Sequence, residues 1–217
     1  DPSVRPIQAR LLDILDMVAD YIRQERKKEN AGRGGPKQFI DYLEVWEKSW
    51  FYWAVEFFCD LYAVYTIGPA FGWAHLHLYM KRGDNPYQVP LSDPSSHPAD
   101  QARMQTILHG LRLVDFGDEA VKIEQKWNDL LSISGATLEP EFRRCFPDSI
   151  LETIAQKAYE ATLEMKCNVV SPETKHPTYL LLNEAWQVFW SEPTRYIDWE
   201  RSARQRLREI CSGKVRV

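Results

Sequence analysis

Apolar and polar positions repeat along this chain at the spacing of helices. Between residues 7 and 28, Ile7, Leu11, Leu12, Ile14, Leu15, Val18, Tyr21 and Ile22 recur every three or four places with charges between them, which predicts an amphipathic helix packed on one side. The run NAGRGGP at 30–36 reads as a loop or a boundary. From Lys37 to Ile67 there is neither Gly nor Pro, and aromatic and aliphatic residues fall on nearly every side of the second half. That pattern predicts one long apolar helix, about 40–67, buried at the centre of the fold. Gly68-Pro69 ends it and opens a second helix to about Lys81.

The stretch 83–97 is rich in Pro, Ser, Asp and Asn, so it reads as an irregular and mobile loop. Further helices are expected from His97-Pro98 to about Val114, from Asp118 to Ile133, and from Asp148 as cap to near Cys167. Two more are expected from Pro177 to Trp190 and from Pro193 or Thr194 to Cys211, with Gly213 as the stop. Nothing alternates like a strand and no repeat is visible. The expectation is an all-α fold of about eight helices around the long apolar one. Residues 1–29 form an N-terminal helix and 37–217 the main helical domain, or the whole of 1–217 is one domain.

Inside the apolar helix sit two acids, Glu56 and Asp60, one turn apart and on one face. A buried carboxylate must be paired, protonated or bound to metal, because burying a bare charge is very costly. Two chemistries meet that demand: both acids neutralise Arg or Lys from a neighbouring helix, or one donates oxygen to zinc while the other orients a ligand. His75 and His77 are two apart, so on an unbroken helix they point about 200° away from each other and cannot share one ion. One of them is expected in the core or at its edge. His109 reads as a surface or edge residue and His176-Pro177 as a loop-to-helix junction. Trp46, Trp50 and Trp53 are read as core or as the lining of a groove.

With 27 Lys and Arg against 31 Asp and Glu, the net charge is −4 and the basic residues are scattered or paired with acids apart from the run Arg201, Arg204, Arg206 and Arg208, which argues against nucleic acid as a partner. No uncharged apolar run is long enough for a membrane span, Glu56 and Asp60 interrupting the longest. The four cysteines are far apart and form no CxxC. They read as reduced thiols of a cytoplasmic protein, with Cys59 a small buried hydrophobe. No GxSxG, P-loop or GxGxxG occurs.

The segment Glu56-Phe57-Phe58-Cys59-Asp60-Leu61-Tyr62-Ala63 resembles the E-F-x-A-D-x-F-A segment of gluzincin zinc metallopeptidases, the group of prenyl-protein-processing proteases and their soluble bacterial relatives. Downstream, His97-Pro98-Ala99-Asp100-Gln101-Ala102-Arg103 is similar to that family's H-P-x-x-x-x-R segment, and the two follow in the same order. The resemblance covers about residues 50–110. It implies Glu56 as a zinc ligand, with Asp60 bracing the site and His97 and Arg103 close by. Such enzymes need HExxH, whose histidines bind zinc and whose Glu activates water. The sequence contains neither HExxH nor HxxEH.

The expectation is therefore a metallopeptidase-like domain with no catalytic residue of its own, acting as a binding or interaction module for a protein partner. It is expected to need no cofactor, zinc entering only with an HExxH supplied from outside this chain. The alternatives are the C-terminal part of an active zinc peptidase whose HExxH lies upstream of residue 1, and an unrelated helical scaffold.

Overall fold

A computed structural model describes residues 5–32 and 41–212. Among these residues no strand occurs; the chain is all-α, with eight helices of fourteen residues or more. In order they are α1 (Arg5–Gly32), α2 (Tyr42–Ile67), α3 (Pro69–Arg82), α4 (Asp100–Leu113), α5 (Gly117–Ser134), the one-turn α6 (Phe142–Cys145), α7 (Asp148–Glu164), α8 (Pro177–Ser191) and, after a 3₁₀ turn at Pro193–Arg195, α9 (Tyr196–Cys211).

Helix α1 buries Ile14, Val18 and Ile22, spaced four apart, and packs on α2 and α7. It runs on through Gly32, three residues into the stretch expected to be irregular; the rest of that stretch, at 33–36, lies outside the described residues, as does Gly213. The Asp41 side chain caps α2 by accepting from the Glu44 amide at 3.3 Å. Helix α2 touches α1, α3, α4, α7 and α8, and it buries Trp46, Trp50, Trp53, Phe57, Leu61 and Tyr65. It is not apolar-and-buried all round, because Phe51, Tyr52, Val55 and Tyr62 stand in solvent along one side. Cys59 lies on that side too and is exposed; the buried thiol is Cys145. All four cysteines are unpaired.

Gly68 ends α2 at φ 67°, a left-handed conformation open to glycine at little strain. A Cβ there would lie 3.0 Å from the Tyr179 ring, so α8 also presses on this junction. Pro69 then begins α3, which stops at the left-handed Gly83.

The loop from Gly83 to Ala99 is tethered along its length. Trp46 Nε1 donates to the Pro90 carbonyl at 2.9 Å, and the Ser95 amide donates to Ser49 Oγ at 3.0 Å. Glu139 accepts from Asn85 at 2.9 Å and from the Val89 amide at 3.2 Å, and Val89 is buried. These contacts revise the reading of the stretch as a mobile loop. Helix α4 starts at Asp100, later than expected, because Ala99 is still extended at φ −56°, ψ 139°. Asp148 is the first residue of α7 and makes no side-chain cap; its carboxylate instead meets His109 Nε2 at 2.9 Å.

Candidate functional site: a carboxylate–guanidinium cluster

One turn of α2 separates Glu56 from Asp60, and both turn toward the first turns of α4. Arg103, one turn into α4, forks onto Asp60: Nε donates to Oδ2 at 2.8 Å and Nη2 to Oδ1 at 2.7 Å. The Asp60 side chain is 5% exposed and that of Arg103 14%, so the fork is nearly dry. A planar guanidinium matches a carboxylate in this two-point geometry and lysine does not. Burial pushes the Asp60 carboxyl above the usual range, against the hydrogen bonds and charge of Arg103. Burial likewise disfavours the Arg103 cation, but Asp60, Glu56 and Asp100 together outweigh it and the net shift is upward.

Glu56 is held less tightly. Its Oε2 lies 3.3 Å from His97 Nδ1 and 4.0 Å from Arg103 Nη2, and its side chain keeps 33% of its exposure. His97 is 70% exposed. The four residues singled out by the two sequence segments thus converge on one spot, Asp60 locked beneath and Glu56 presented above it.

Three residues not singled out complete the cluster. Asp100, at the start of α4, is ion-paired with Arg82 at the end of α3. Burial pushes its carboxyl up, while Arg82 and Arg103 pull the other way. His75 is buried against the Trp127 ring, 6.0 Å between centroids, with Nε2 3.3 Å from the Asp100 carbonyl oxygen. Burial, then the Arg103 charge, holds its pKa down to about 3, so the ring is neutral at pH 7. His77 points the other way, onto Trp186 and Phe189 of α8, as the two-residue spacing requires. Asp100 sits inside the quoted HPADQAR segment, three residues before Arg103, and that spacing was the available sign that it shares the Arg103 face.

The donors present do not fit zinc. Both Asp60 oxygens are taken by Arg103, which leaves Glu56 and His97, whereas a zinc site draws on at least three protein ligands. Among the described residues no group of three or more His, Cys, Asp or Glu side chains is arranged to hold a metal ion. No described helix is long and apolar enough to cross a membrane. No protein-family model, no curated protein and no solved structure matches the chain.

Proposed function

We propose that this chain is a metallopeptidase-like helical domain that works by binding a protein partner and performs no hydrolysis of its own. The observation that carries the reading is the Arg103 fork on Asp60. In the enzymes it resembles, the acid at this position braces the metal site; here its lone pairs are spent on a guanidinium. Glu56 is left as a presented carboxylate beside His97, with no third ligand among the described residues to complete a metal centre. The four unpaired thiols suit a reducing, cytoplasmic setting. Basic residues are scattered apart from the run on α9, where Arg201, Arg204 and Arg206 pair with Asp198, Glu200 and Glu184, which gives little footprint for nucleic acid.

The test is elemental analysis of the purified chain together with a peptidase assay. The reading expects neither stoichiometric zinc nor peptide hydrolysis. One zinc per chain, lost in Glu56→Gln, overturns it.

A second reading rests on the partial exposure of Glu56. A carboxylate one-third exposed beside an exposed imidazole can serve as a single ligand when two histidines arrive from an HExxH upstream of residue 1. Under this reading, zinc binding and hydrolysis emerge only when such a segment is supplied, and both fail in Glu56→Gln.

A further inference from the structure

The solvent-facing side of α2 carries Phe51, Tyr52, Val55 and Tyr62, all at least 40% exposed. Phe51, Val55 and Tyr62 follow at i, i+4 and i+11, so they form one stripe about 16 Å long, or three helical turns. Beside the stripe, α1, α2 and α7 enclose an open hollow of about 410 Å³. Leu11, Val55, Phe58, Ala161 and Met165 are among its walls, and among the described residues no charged side chain lines it. Exposed apolar surface that continues into a hollow marks an interaction site more than scattered single residues do.

The charge cluster beside this surface carries a negative excess. The cluster under Glu56 holds three carboxylates, Glu56, Asp60 and Asp100, against two guanidiniums, Arg82 and Arg103, with His75 neutral. Asp84 adds a further negative charge near Asp100. Arg103 is committed to Asp60, and among the described residues the one other group within ion-pair distance of Glu56 is the exposed His97. Glu56 is not itself a wall of the hollow, but it follows the wall residue Val55 directly on α2 and stands less than one turn before the wall residue Cys59.

We infer that this face docks an amphipathic helix of a protein partner, whose aliphatic side chains enter the hollow between α1, α2 and α7 and whose Lys or Arg reaches Glu56. A groove between helices receives the side-chain ridges of another helix, and apolar anchors on such a partner recur at i, i+4 and i+7. The excess carboxylate requires a cation, and an all-apolar ligand would leave Glu56 facing hydrocarbon. This inference rests on the binding-module reading and names the partner's chemistry.

The test uses a fluorescein-labelled sixteen-residue helical peptide of Leu and Ala with Lys beside the apolar face, and a twin with Glu in place of every Lys. Fluorescence anisotropy at physiological salt measures their binding to the whole chain. The Lys peptide is expected to bind at least about tenfold more tightly than its twin. Glu56→Gln is expected to weaken it about fivefold, the effect of one partly exposed ion pair. Val55→Asp is expected to abolish binding, and bound peptide to slow alkylation of Cys59. Tyr62→Asp serves instead if Val55→Asp loses its helical circular dichroism. Equal binding of the two peptides, or binding indifferent to both substitutions, overturns the inference. So does sedimentation showing a dimer that Val55→Asp dissociates, since the face is then occupied by a second copy. Those outcomes leave the zinc and peptidase results untouched, so the binding-module reading stands or falls separately.

Discussion

At the scale of single residues, the Arg103–Asp60 pair is the feature with the largest energetic stake. Removing one partner of a buried pair strands the other charge, so Arg103→Ala is expected to cost about 3–5 kcal/mol in urea denaturation. Arg103→Lys is expected to recover part of that loss, because an ammonium supplies charge without the fork. An unchanged unfolding midpoint in Arg103→Ala would mean that the pair holds nothing together. His75 makes a pH prediction. Its folded pKa of about 3 lies far below that of a free histidine, about 6.5. Between those values the unfolded chain takes up a proton that the folded chain refuses, so stability is complete above about pH 6.5 and falls as the pH drops toward 3, with a slope on the order of 1 kcal/mol per pH unit. Comparing denaturation at pH 7 and pH 5 in wild type and His75→Phe checks this; the variant should lose less on acidification. The acids were legible because a carboxylate in an aromatic helix demands a partner, and Arg103 because its fork suits that demand. Arg82 was not, because a basic residue in the last turn of a helix reads equally well as a partner of the helix dipole.

At the scale of elements, the α2–α3 junction is fixed by one backbone conformation. Gly68→Ala places a Cβ at positive φ and 3.0 Å from Tyr179, so it is expected to cost about 1–3 kcal/mol by denaturant titration. An effect of a few tenths would show that the Tyr179 ring gives way. The helices themselves were readable from periodicity, with Gly-Pro and Gly punctuation setting the ends of α2, α3 and α5. Two features escaped. The exposed stripe of α2 is as aromatic as its buried side, so the residue pattern carried no sign of which side faces water; only the placement of α1, α4 and α7 decides that. The loop at 83–99 has the composition of a mobile segment, yet its tethers come from Trp46, Ser49 and Glu139, far away in the chain. Limited proteolysis is therefore expected to spare 83–99, and Trp46→Phe, which deletes the donor to Pro90, to make it a cleavage site. Cutting there first in the wild type would contradict the tethers.

At the scale of the whole molecule, the cluster joins three helices: Asp60 of α2 to Arg103 of α4, and Asp100 of α4 to Arg82 of α3. It lies far along the chain from the last helix, and that distance matters mechanically. Helix α9 packs chiefly on α8 and buries only Ala203 among its residues. Most of its ion pairs are internal, such as Arg201 with Asp198 and Arg204 with Glu200, and travel with the helix when it moves. Under a force applied at the C-terminus, α9 would peel away as a short first step resisted mainly by Arg206 and Trp199, both bonded to Glu184. The grip of Arg103 on Asp60 would still be closed when that step was over, so a tug on the chain's end would be spent before it reached Glu56.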